Sequence, residues 1–579
     1  MSSSLPCSWA TPILPSSSSY SSSQVLYSNP TARRTPNLNG GFRATQKTDN
    51  QNMKSSHDSQ GSNKFDRRDM LIGLGGLYGA ASSINPLNAS AAPIPPPDLN
   101  ACRTATNINN GQPVPYSCCP PVNNRIVDFR LPARPTIRTR PAAHLVNAQY
   151  ISRFNLAMQR MINLPASDPR SFMQQANVHC AYCNGAYTYP SATGSQRLEI
   201  QVHNCWLFFP FHRWYLYFFE RILGSLINDP TFAMPYWNWD SPAGMYTPNM
   251  YLNQRQYPAL FNTRRNQRNM TLPADLGYSG TNNNLNPTQT AANNCAIMHN
   301  EIIRNANTLQ NFMGRIYRRG DAINPGAGTH EAGSHTAIHI WGGDPRQPSG
   351  EDLGNFYSAG RDPLFYAHHA NVDRMWTLWR NRRGNQPRDF TDPDYLNAQF
   401  LFYDENRQLV RVRADSRVNV PWIQCPPQPR VKGTRVGKMV EAPKLETVEF
   451  PLKLDKIVKI LVPRPKKSRS KEEKDKEQEV LLISDIEVDT EKVVKFDVFV
   501  DEEENDYVNL AKAEYTGTFA QVPHKHETPL QVKTSRYLEL TQQLEDLGVE
   551  DDDEILVTLV PRAGDITIGS IKIIYDPSD

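Results

Sequence analysis

Residues 333–344 read GSHTAIHIWGGD, and residues 365–376 read FYAHHANVDRMW. The first stretch sets His335 and His339 four apart, a spacing that puts both side chains on one helix face, about 5–6 Å apart at Cβ. The second brings His368 and His369, directly before an amphipathic run, NVDRMWTLWRNR, that reads as a helix starting just after His369. One of that pair would complete a three-histidine set with His335 and His339.

A second set lies upstream. DPRSFMQQANVHCAYC reads as a helix opened by Asp168 as cap and Pro169 in the first turn, running into His179. PFHRWYLYFFERILGSLI starts after Pro210 and is apolar on most sides, so it is expected to be buried, with His212 in its first turn. His203 stands just before it in LEIQVHNCW. One buried histidine is more often a core residue than a ligand. Six of the chain's 13 histidines in two sets beside aromatic helices point to metal. Imidazole alone suits Zn, Cu, Fe and Ni. The sequence shows no well-placed Glu-x-x-His pair of the di-iron kind, and zinc has no redox state to use. Two all-histidine triads therefore favour two copper ions that bind dioxygen between them.

HCAYC (179–183), QVHNCWLFFPFHRWYLYFFERIL (201–223), HTAIHIW (335–341) and DPLFYAHHANVDRMW (362–376) resemble the plant polyphenol oxidases, or catechol oxidases, of the tyrosinase group. The resemblance extends from about residue 92 to the C-terminus. It implies a type-3 dicopper centre, with His179, His203 and His212 on the first ion and His335, His339 and His369 on the second. It implies a thioether between Cys183 and His203, although Cys205 puts another sulfur two residues from that histidine. It implies disulfides Cys102–Cys119 and Cys118–Cys180, leaving Cys205, Cys295 and Cys425 unpaired. Glu331 matches the family's acidic residue that orients a water as base. Thr336 stands where an Asn is associated with monophenol hydroxylation, which disfavours strong monophenolase activity. Phe356 matches the gate over the second copper, and Thr336 and Ile340 are expected to shape the pocket rim.

The implied activity is latent oxidation of o-diphenols to o-quinones, with dioxygen reduced to water. A monophenol hydroxylase of one plant secondary-metabolite pathway and a non-catalytic dioxygen carrier share the same ligands and stand as alternatives. The partners that the resemblance implies are a small phenol, dioxygen and a processing protease.

The rest of the chain fits this frame. It has 579 residues and a net charge of +4, without the concentrated basic patch that nucleic acid demands. Nine cysteines, mostly clustered between 102 and 205, indicate a compartment that permits disulfides. Residues 1–48 are Ser-rich, carry Arg and contain no acid, the composition of a transit peptide. Arg67-Arg68, the apolar run MLIGLGGLYGAA and Ala89-Ser90-Ala91 then form a twin-arginine signal, too short to span a bilayer. Two signals in series predict the chloroplast and then the thylakoid lumen, with cleavage after Ala91 and a soluble mature form.

Past Cys425 the chain becomes Pro-rich and basic, a linker (431–440). KIVKILVPRP, EVLLISDIEV, VVKFDVFVD and EILVTLVPR then read as strands, and KKSRSKEEKDKEQ as a charged loop. KFDVFVD resembles the family's C-terminal domain, which implies a shield over the copper site. The expected fold class is α+β and multidomain: a mainly α-helical bundle housing the dicopper centre (92–430), followed by a C-terminal β-sandwich (441–579).

Overall fold

Four helices carry the histidine-rich motifs in the computed structural model, which describes residues 92–106, 113–123, 125–133, 136–281, 284–382, 389–415, 442–524 and 531–578. The two targeting signals, the cleavage point after Ala91, the 431–440 linker and Cys425 lie outside the described residues. Helix α1 spans Phe172–Cys183, α2 Phe208–Leu226, α3 Thr336–Gly342 and α4 Pro363–Asn381. Among the described residues no helix is long and apolar enough to cross a membrane.

Two helix starts differ from expectation. α1 is capped by Ser171, whose hydroxyl accepts from Gln174 N, not by Asp168. The Asp168 carboxylate is taken by the backbone and side chain of Arg170 instead. α4 begins at Pro363, so His369 sits inside the helix, not ahead of it. Asp362 caps it by accepting from Leu364 N at 2.8 Å, and Pro363 occupies the first position, where a missing N–H costs nothing. Asp362-Pro363 is the local signal for this start.

α2 is buried along nearly its whole length, on every side. It is bolted to α4 through buried charge. Arg140 donates to Glu220 of α2 at 2.6 Å and to Asp373 of α4 at 2.8 Å. Arg213 of α2 donates to the other oxygen of Asp373 at 2.5 Å. Charges so deep persist only when paired and hydrogen-bonded, so this network fixes how the two helices face each other. Disulfides join Cys102 to Cys119 and Cys118 to Cys180, tying the N-terminal arm to α1.

The C-terminal region is two antiparallel sheets around a shared apolar core. One runs Gln531–Glu539, Glu477–Asp489, Ile566–Ile568, Leu452–Lys453, with Ser570–Pro577 also paired to Glu477–Asp489. The other runs Tyr515–Gln521, Val494–Val500, Glu554–Ala563, Val458–Pro463. Val494–Val500 is buried on both faces. Side chains alternate across a strand, so Phe496, Val498 and Val500 fill the sandwich while Phe499 joins the core of the helical region. On that second face Lys495 Nζ donates to Gly277 O at 2.5 Å. The segment read as a charged loop contains a short helix, Lys471–Lys476, closed by a capping box between Ser470 and Glu473.

Candidate metal centre

His179 lies in α1, His212 in α2, and His203 in the loop leading into α2. Together with Cys183, their ligand atoms all come within 4.8 Å of one another, fully enclosed. His335 ends a π-helical turn, Glu331–His335, that feeds directly into α3 with His339; His368 and His369 come from α4. These four form a second buried group of the same tightness. The groups adjoin: His212 stacks on His369 with centroids 4.2 Å apart, and His203 lies 5.8 Å from His335.

The hydrogen bonds fix how the rings present themselves. Nδ1 of His179, His212, His335 and His339 each faces a backbone carbonyl: Phe356 O (3.1 Å), Phe208 O (2.8 Å), Glu331 O (3.1 Å) and Leu353 O (2.7 Å). A carbonyl only accepts, so each Nδ1 carries the proton and each Nε2 turns a lone pair inward, the tautomer a metal ligand needs. Nε2 of His179, His203, His212 and His335 is buried without a hydrogen-bond partner. Nε2 of His339 and of His369 face each other at 3.3 Å. Burial, before any other cause, holds the imidazoles neutral; it pushes His212 down to about 3 and His339 down to about 4, and takes His179, His203, His335 and His369 well below the usual histidine range. Neutral, inward-pointing nitrogens that are buried without a protein partner are what a cation would satisfy. No carboxylate belongs to either group, so the donor set fits soft-to-borderline copper better than the oxygen-seeking metals.

His368 differs from its neighbour. Trp239 Nε1 donates to His368 Nδ1 at 3.2 Å. With that bond in place, a neutral His368 carries its proton on Nε2, the tautomer opposite to that of His335 and His339. Cys183 belongs to the first group, whereas the Cys205 thiol turns away toward Val202 O and Gln201 O.

Around the histidines, Glu331 is buried and accepts from Asn204 N at 2.6 Å through Oε1. Burial raises its carboxyl well above the usual range, against the Asn204 and Gly328 amides and the Arg536 charge. Asn204 reaches this position with φ +56°, a conformation that Asn tolerates. Thr336 Oγ1 donates to Glu331 O at 2.8 Å, and Ile340 is buried on α3. Phe356 was expected over the second set; its ring contacts are with the first. It stacks on His203 with centroids 4.0 Å apart and lies edge-on to His179 at 6.3 Å. Its own carbonyl is the Nδ1 partner of His179, which holds it on that side.

The C-terminal sandwich arrives here too. Pro523 O accepts from Phe356 N at 3.3 Å, and the buried His524 ring lies 4.9 Å from the Phe356 ring. Sequence reading singled out neither His524 nor Asn204, Glu301 and His330. Their contacts span distant parts of the chain, and no local spacing signals them.

Two adjoining cups of buried neutral imidazoles, with no carboxylate among them, define a binuclear copper protein of the type-3 class. The common central domain of tyrosinase matches residues 169–382, the polyphenol oxidase middle domain 389–420, and the chloroplastic polyphenol oxidase C-terminal domain 450–575. The chloroplastic polyphenol oxidase II of Ipomoea batatas is 47% identical over 535 residues, covering 88% of this chain and 90% of its own. Chloroplastic catechol oxidase B of Solanum tuberosum is 45% identical over 534 residues, covering 88% of each. A latent aurone synthase, itself a polyphenol oxidase, superposes with a TM-score of 0.79 at 41% identity, over 84% of this chain and 100% of that one. The chain belongs to the plant polyphenol oxidase family.

Proposed function

We propose that this chain is a latent catechol oxidase, which converts o-diphenols to o-quinones and dioxygen to water. The observation that carries this reading is the set of Nδ1–H···O=C bonds that aims imidazole Nε2 atoms into two touching groups. His179, His203 and His212 would hold one copper, and His335, His339 and His369 the other. The bound pair supplies the electron-accepting and dioxygen-reducing chemistry. Each diphenol gives up two electrons and two protons, and two such oxidations supply what one dioxygen needs to become two waters.

The chain's own residues contribute geometry and proton handling. Carbonyls fix the ring tautomers. The Cys183 thiol, in the same group as His203, supports a thioether that would restrict the one ring here whose two nitrogens both lack partners. Glu331 Oε2 is buried without a partner and is our candidate base for the phenol proton, directly or through a water. Phe356 offers a face for an aromatic substrate. The Thr336 hydroxyl gives its one proton to Glu331 O and can then only accept from a water, more weakly than an amide carbonyl would, which favours diphenolase over monophenolase activity. Ile340 would bound the pocket.

Latency follows from Pro523 and His524 lying on Phe356. We divide the chain into a catalytic part (92–430), a linker (431–440) and a shield (441–579), with activation by proteolysis near the linker. The relatives are named chloroplastic, and the two N-terminal signals extend that placement for this chain to the thylakoid lumen. Oxygen uptake on a panel of phenols and catechols, before and after trypsin and with copper quantified, tests the reading. Quinone formation from catechols that rises on cleavage supports it; no turnover from any catechol by the copper-loaded, cleaved chain contradicts it.

A further inference from the structure

Glu301 lies outside the motifs, yet its buried carboxylate is hydrogen-bonded on both oxygens to the segment that carries His335. Oε1 accepts from Ser334 N at 2.9 Å; Oε2 accepts from Ser334 Oγ at 2.5 Å and from His330 Nδ1 at 3.1 Å. The Glu301 carbonyl takes a further bond, from Thr329 Oγ1 at 2.6 Å. One residue thus grips positions 329, 330 and 334. Between and beside them stand Glu331 and His335. The carboxylate fits because residue 333 is glycine: a Cβ there would collide with Glu301 Oε1. Gly333 also breaks the turn, with φ −102° and ψ −108°, so the segment lacks continuous helical bonding. Glu301 supplies acceptors for the Ser334 amide and hydroxyl across that break.

The anchor is itself held. Glu301 sits on a π-helical turn, Asn300–Arg304. From the same turn and the residue after it, Asn300 Nδ2 donates to Tyr515 O at 3.0 Å, Arg304 to Ala513 O at 3.1 Å and Asn305 Nδ2 to Thr516 O at 2.5 Å, all in the C-terminal sandwich.

We propose that Glu301 is a positioning residue for the second metal: by clamping His330 and Ser334 across the break at Gly333, it sets the place of His335 and of Glu331. The proposal rests on the dicopper reading above. The clamp touches neither substrate nor ligand ring; it acts through the backbone of the segment it holds.

The test uses the copper-loaded full chain and follows copper release to a chelator, with metal per chain and melting temperature measured alongside. Glu301→Ala should release one of the two coppers at least tenfold faster and the other at the wild-type rate. Ser334→Ala, which removes one donor and spares the carboxylate, should do the same more weakly, by about threefold, and serves if the first variant does not fold. After limited proteolysis both variants should lose kcat for catechol with little change in KM. Release of both coppers within twofold of wild type in the folded variants would overturn the proposal. So would a lowered melting temperature with copper release and kcat unaltered, which marks a merely structural role. Wild-type chain holding two coppers while the variants behave like it would sink this inference alone; wild-type chain holding no copper would sink the dicopper reading first.

Discussion

The imidazoles of His212 and His369 stack 4.2 Å apart and 15° from parallel, one from α2 and one from α4. Each belongs to a different histidine group, so this contact brings the two groups together. Behind it, Asp373 accepts from Arg140 and Arg213 and holds the helices in register. Asp373→Ala leaves two buried guanidinium groups short of a partner and should destabilise the chain by roughly 3–5 kcal/mol. Urea unfolding of the wild type and the variant measures this, and an unchanged midpoint would show that the bolt is dispensable.

The adjacent histidines of α4 separate the ligand from its neighbour. His369→Ala should bind one copper per chain in place of two and lose oxidase activity. His368→Ala should keep both coppers, because Trp239 already occupies its Nδ1. Metal analysis of the two variants decides, and the reverse result would reassign the ligand.

Burial raises the Glu331 carboxyl above its unfolded value, so the folded chain holds this proton to higher pH than the unfolded chain does, and the carboxylate serves as base above that window. Between the unfolded value, near 4.5, and the raised folded value, the folded state binds more protons than the unfolded. Stability contributed by this group is therefore present at low pH and lost as pH rises through that window. Glu331→Gln mimics the protonated form. It should melt higher than wild type at neutral pH, with the gap closing toward pH 4.5, while activity of the cleaved chain falls about 100-fold, in the range expected for loss of a general base. A variant that melts lower at every pH, or retains full activity, would exclude this role.

His524 reaches Phe356 from the sandwich. His524→Ala should raise kcat/KM of the uncleaved chain for catechol at least threefold and leave the copper content unchanged. After cleavage at the linker and removal of the C-terminal fragment, variant and wild type should be indistinguishable. Equal activity before cleavage would mean that latency resides elsewhere on the interface.

The Cys183 thiol shares the first group with His203, and Cys205 does not. Intact mass of the mature wild type should be lower by two hydrogens than expected for free Cys183 and His203. Cys183→Ser should abolish that deficit and Cys205→Ser should keep it.

Much of this was legible in the chain because metal ligation and helix burial leave local marks. His335 and His339 at one helical repeat, the all-round apolar α2 and the Val-rich strands of the tail each announce themselves within a few residues. The start of α4 was missed although Asp362-Pro363 marks it, and the Ser470–Glu473 capping box was hidden in a run of charge. Strand Tyr515–Gln521 carries Thr, Gly and Gln and has little alternation, since it is buried on both sides between sandwich and helical region. The Glu301 clamp, the Phe356–His203 stack and the approach of His524 are made by residues far apart in sequence, and only the folded chain brings them together.

The account turns on the two imidazole cups holding redox-active metal. Metal analysis of the purified, processed chain measures this most directly. Two coppers per chain and no stoichiometric zinc are predicted. Zinc in their place, or a single copper retained after full reconstitution, would contradict it.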